Sequence, residues 1–168
     1  MAGRRIDPAG LAGLAAALGD VEVVRRYATK VVRVPGSDCL WWTGAVSGRG
    51  HGRFWFADGR CIVAHRFAFG LQRGVQELED ARVLGHRCDN PLCQRVAPGH
   101  VVVSSAQENR REWAHRKEVA GSPLGDPRGA RRRARALRDM ARRDPREVAA
   151  ELDRLRRLYG EQMQLPLG

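Results

Sequence analysis

The sequence predicts an α+β fold, with strands in the middle of the chain and helices towards both ends. Three observations carry that expectation: helix-opening pairs at Asp7-Pro8 and Asp144-Pro145, β-prone runs alternating with Gly-rich turns from about Asp38 onward, and a Cys/His-bearing loop framed by short apolar runs between Val83 and Val103. At 168 residues the chain can bury one compact core with an appendage, not two large domains.

Residues 1–34 read as an N-terminal helical segment. Asp7 supplies an N-cap and Pro8 a ring pre-set for the first helical position, while Asp20 is placed to cap a second helix over VEVVRRYATK. Pro35-Gly36-Ser37 then breaks the chain. CLWWTG from Cys39 is apolar and β-prone, and GAVSGRGHG is a Gly-rich turn. GRFWFADGRCIVAHRF reads as a strand, an Asp58-Gly59 turn and a returning strand, a β-hairpin. Val83 and Leu84 suggest a short strand delivering His86, and Val101 to Val103 a second one after the loop. Ser105 with Glu108 three residues on forms a capping box, so a helix should begin at Ala106 with Asn109 in its first turn. From about Gly121, GSPLGDPRG reads as a linker and ARRRARALRDMARR as a basic helix. After Asp144-Pro145 a further helix carries Val148, Leu152, Leu155 and Tyr159 on one face. That basic C-terminal extension can either pair with its own copy in a homodimer or fold onto the core.

The formal net charge is +11 and the isoelectric point near 11.0, and the basic residues are almost all Arg. The guanidinium fork suits phosphate, so this excess points to nucleic acid. The N-terminal apolar run is Ala/Gly-rich, short and interrupted by Asp20, unlike a secretory leader. No stretch approaches the roughly 20 apolar residues of a membrane span. The expectation is a soluble, cytoplasmic chain with no membrane partner.

In a reducing compartment, closely spaced Cys and His favour a metal over disulfides. Four residues separate Cys88 from Cys93, and six separate Cys93 from His100. Thiolate and imidazole are ligands that Zn²⁺ prefers, and structural sites usually close with four of them. The fourth must come from Cys39 or Cys61. Cys39 follows a turn and has no other evident task, whereas Cys61 sits mid-strand, so Cys39 is the better candidate.

His86 and Asn109 stand interleaved with these ligands, and a structural metal needs neither. On an extended chain His86 shares a face with Cys88 at about 6–7 Å, which suits a separate site beside the metal. A neutral imidazole there can take a proton from water. The competing reading makes His86 the ligand in place of His100. Asn109 is a neutral oxygen donor too weak to hold Mg²⁺ unless substrate phosphate helps. Arg53, alternating with aromatics in HGRFWF, is placed to neutralise phosphate charge. His51 is a weaker candidate, His65 reads as a core residue within an apolar strand, and His115 as a solvated helix position.

These residues resemble the HNH endonucleases of the ββα-metal superfamily, especially the phage-type homing endonucleases and their His-Cys box relatives. The segments are CLWWTG from Cys39, GHGRF from Gly50, AHR at Ala64 to Arg66, HRCDNPLC from His86, VAPGH ending at His100 and SSAQEN ending at Asn109. They span roughly residues 30–117. Three departures stand out: Gln94-Arg95 lengthen the interval before His100, His51 replaces the usual Tyr, and Val101 replaces the usual Leu.

The resemblance implies a zinc-stapled ββα-metal core over residues 35–118, preceded by the hairpin, with the helical segment 1–34 before it and the linker and extension 119–168 after it. It implies structural Zn²⁺ on Cys39, Cys88, Cys93 and His100. It implies His86 as general base, Asn109 as ligand of a catalytic Mg²⁺ or Mn²⁺, and Arg53 as stabiliser of the phosphate transition state. The expected partner is double-stranded DNA, cut to 5′-phosphate and 3′-hydroxyl ends. The alternative is a zinc-containing DNA-binding module without catalysis, which would need neither His86 nor Asn109. RNA binding is a third possibility, because Arg reads both backbones alike.

Overall fold

The computed structural model describes residues 6–119, 122 and 125–161. Seven helices and seven strands form within them, a mixed α+β fold with three small sheets. Helices α1 (Pro8–Gly19) and α2 (Val21–Ala28) open as their caps require. Asp7 accepts a hydrogen bond from the Gly10 amide at 2.8 Å, and Asp20 from Glu22 at 2.8 Å.

Helix does not extend to residue 34. Thr29 ends α2, and Val31–Arg33 is strand β1, paired antiparallel with β2 (Leu40–Trp42). The adjacent β-branched Val31 and Val32 suit a pleated strand, and Gly36, at φ 70°, makes the turn. Trp42 is the centre of the aromatic core, its ring 5.3 Å from Tyr27 and 6.0 Å from Phe54. A Cβ on Gly52 would lie 2.5 Å from that indole, so the opening of the next strand must be glycine.

Strands β3 (Ala45–Val46), β4 (Gly52–Ala57) and β5 (Arg60–Val63) form the second sheet, with the hairpin turning at Asp58-Gly59. Along β4, Phe54 and Phe56 face the core while Arg53 and Trp55 face outward. The hairpin ends earlier than the sequence suggests. AHRF is not strand but the first turn of α3 (Ala64–Arg73), because Ala64, Phe67 and Ala68 repeat at helical spacing and bury together. His65 is therefore a buried helical residue. Helix α4 (Val75–Asp80) follows, its last carbonyls taken by Arg66, which donates to Leu78 and Ala81 at 2.9 and 3.0 Å.

Strand β6 (Val83–His86), a loop, β7 (Val101–Ser104) and α5 (Ala106–Lys117) then come in the order expected, with both halves of the Ser105–Glu108 capping box formed. The C-terminal pair α6 (Gly129–Arg143) and α7 (Pro145–Glu161) is less separate than its composition suggests. Ala134, Leu137 and Ala141 of α6 and Val148 of α7 join the same hydrophobic core as Trp42 and Phe54. Arg138 also donates to the Gly44 carbonyl at 2.9 Å. The last helix packs on its own chain, with Val148 and Leu155 buried. Among the described residues no helix is long and apolar enough to cross a membrane.

Candidate metal centre and adjoining cleft

Cys39 precedes β2, Cys88 and Cys93 lie in the β6–β7 loop, and His100 enters β7. The loop is held to β2 by backbone hydrogen bonds from Trp42 to Leu92 at 2.9 Å and from Gln94 to Leu40 at 2.7 Å, which brings Cys39 across. Asp89, at φ 54°, and Gly99, at φ 82°, make the reversals that fold the ligands inward. The four ligand atoms lie within 4.8 Å of one another. Nδ1 of His100 is 3.7 Å from Cys39 Sγ and 3.6 Å from Cys93 Sγ. Four donors around Zn²⁺ would stand about 3.6–3.8 Å apart on the edges of a tetrahedron.

Crowded thiols cannot all ionise unaided. Hydrogen bonds from Cys88 and Cys93 draw the Cys39 thiol down to about 2, and the shared bond to Cys39 pushes Cys88 up to about 11 and Cys93 higher still. A cation would relieve that competition. The Cys3His group could hold a structural metal ion such as zinc. Cys61 is an exposed thiol on β5, outside the group.

Gln94, from the lengthened interval, is a structural pin. It is buried, accepts from the Tyr27 hydroxyl at 2.8 Å and donates to Leu92 at 2.9 Å, tying α2 to the metal loop. Burial, then the charge of Cys93, keeps that tyrosine protonated. Arg95 bonds the Asp38 carbonyl at 2.9 Å.

Beside this group a cleft of about 200 Å³ contains His86, Asn109 and His51 in its lining. The carbonyl of Cys93 lies 3.2 Å from His86 Nε2. A carbonyl only accepts, so Nε2 carries the proton and Nδ1 keeps its lone pair. Burial, then neighbouring His51, lowers the His86 pKa to about 4, so the ring is neutral at pH 7. Asn109 Oδ1 lies 3.2 Å from where a Cβ on Gly85 would stand, directly beside the strand that ends at His86. Arg116 clamps helix to strand: it donates to the His86 carbonyl at 2.8 Å and to Asp89 at 2.6 Å, and pairs with Glu112.

Three imidazoles meet here, which the sequence did not indicate. His86 is 4.5 Å from His65 and 5.6 Å from His51, ring centre to ring centre. Nδ1 of His65 is buried without a hydrogen-bond partner, and burial lowers its pKa well below the usual value. His51 is lowered too, by burial and then by Arg49 and Arg53. Arg53 is not among the residues lining the cleft. It points outward from β4, and Arg49, from the β3–β4 loop, lines the cleft instead. His115 is exposed on α5.

No protein-family model matches this chain, and no solved structure does. It is similar to Protein 2.8 of Escherichia phage T7, 29% identical over 97 residues that cover 56% of this chain and 63% of that protein. It is also similar to Protein 7.7 of the same phage, 31% identical over 88 residues, covering 52% of this chain and 64% of that protein. The matched part is thus a little under two thirds of either phage protein.

Proposed function

We propose that this chain is a metal-dependent DNA endonuclease of the HNH type, with β6, β7 and α5 as its ββα-metal core. The observation that carries the reading is one cleft holding a neutral imidazole with a free Nδ1 beside an asparagine oxygen at a helix start. Both stand next to a Cys3His group that needs neither. His86 Nδ1 would take a proton from a water, whose oxygen attacks phosphorus as the bond to the 3′-oxygen breaks. The Nε2 bond to Cys93 ties the orientation of this base to the metal loop. Asn109 would hold Mg²⁺ or Mn²⁺ together with the substrate phosphate, supplying Lewis-acid stabilisation of the leaving oxygen. Arg53, on the outer face of the neighbouring sheet, would offset charge on the DNA phosphates from beside the cleft.

The basic surface supports DNA as the partner. Arg131, Arg132 and Arg135 remain exposed on α6 although that helix packs on the core. The test is supercoiled plasmid incubated with Mg²⁺, with Mn²⁺ or with EDTA. Wild type should relax or linearise it in either metal. His86→Ala should leave it intact while keeping its zinc and its thermal unfolding. Loss of zinc in that variant would make His86 a ligand. Plasmid untouched by wild type in both metals would leave the non-catalytic DNA-binding module.

A further inference from the structure

Two residues of the cleft have no part in that mechanism. Arg49 comes from the Gly-rich β3–β4 loop, is exposed, and makes no side-chain hydrogen bond or ion pair among the described residues. Trp113 stands on α5 one turn beyond Asn109, on the same helix face, with 53% of its surface exposed. Lys117 Nζ lies 5.5 Å from its ring centre. An indole left half in water is unusual beside the polar groups of a reaction site, since a large aromatic repays burial.

We infer that the cleft is built for a single unpaired nucleotide of a DNA strand, with Trp113 stacking on the base and Arg49 pairing with its phosphate. The inference rests on the nuclease reading for the direction in which the strand lies. An exposed indole offers a π-face to any base, while an unpaired guanidinium offers a fork to phosphate oxygens. Both side chains line the same cleft as His86 and Asn109. A cleft of about 200 Å³ has room for a base or a phosphate. A base inside a duplex is already stacked on both sides and shows only its edges. The substrate class is therefore DNA with an unpaired position, such as a bulge, a flap or a single strand, in preference to continuous duplex.

The test measures anisotropy of fluorescein-labelled oligonucleotides without added divalent metal, so that binding is read apart from cleavage. A single strand, a paired duplex and the same duplex with one bulged nucleotide are compared. Wild type should favour the bulged duplex and the single strand over the paired duplex by at least about fivefold. Trp113→Ala should erase that preference and Trp113→Phe should keep most of it. Arg49→Ala should weaken binding to all three and reduce the salt slope by about 1. Equal binding of bulged and paired duplex by wild type, or a preference that survives Trp113→Ala, would overturn the inference. A chain that favours the bulge through Trp113 yet cuts neither plasmid, bulged duplex nor single strand in Mg²⁺ or Mn²⁺ would refute hydrolysis and leave the stacking intact.

Discussion

Exchanging Cys39 for alanine removes one corner of the Cys3His tetrahedron and leaves two thiols and an imidazole facing a gap. Structural zinc in small modules carries on the order of 10 kcal/mol of folding free energy, so the loss reaches beyond the loop. Cys39→Ala should lose its zinc by mass spectrometry and unfold well below wild type, whereas Cys61→Ala should match wild type in both. The contrast follows from one cysteine being buried in the group and the other exposed on β5. At this scale the ligands were legible because Cys88, Cys93 and His100 lie in one local stretch, and Cys39 followed from its place after a turn. His51 and His65 were not legible as neighbours of His86. They come from a Gly-rich loop and a helix start, and only the packing of β4 and α3 brings their rings against that of His86. Arg49, which lines the cleft, was not legible either, because a Gly-rich loop carries no periodicity that predicts where its side chains face.

Helix α5 illustrates how an element positions chemistry. Its start is fixed by the capping box and its end by Arg116, which reaches back to the His86 carbonyl and to Asp89. Removing that side chain leaves the Asp89 carboxylate without its cation, at a cost of about 1.5–3 kcal/mol for a charge-assisted bond. Arg116→Ala should therefore unfold earlier in a thermal melt and cut plasmid at least tenfold more slowly at saturating DNA, while zinc stays bound. Unchanged turnover would mean that the helix does not position the base. Capping signals made α1, α2 and α5 readable in advance, since each depends on a side chain within three residues of the helix start. The misread elements were short or continuous with a neighbour. β1 holds three residues and is defined by its partner, and the apolar Cys61–Val63 strand runs without a break into α3.

At the scale of the molecule, composition sets the Arg-rich end of the chain apart from the core as a linker and a basic helical extension. Packing changes that expectation. Ala134, Leu137, Ala141 and Val148 belong to the central core, so deleting residues 121–168 would uncover apolar surface around Trp42. Such a truncation should lower thermal stability sharply, where a free tail would leave it unchanged. The untruncated chain should lose DNA affinity steeply between low and physiological salt, because each Arg–phosphate contact releases counterions. Charge-reversing Arg131 and Arg132 to Glu on the exposed face should flatten that slope without moving the melting temperature. Composition revealed the charge, but not that one side of the same helix was apolar enough to join the core.

Gly50, at φ 87°, lies so close to α6 that an added Cβ would stand 2.9 Å from the Ala130 carbonyl. The loop bearing Arg49 and His51 thus leans directly on a helix encoded far downstream, and Ala130 and Arg133 supply part of the cleft wall. Every other residue of that wall is synthesised before them. The cleft therefore stays unfinished on the ribosome until α6 has emerged and docked, and a nascent chain with its histidines already in place lacks the wall that encloses them.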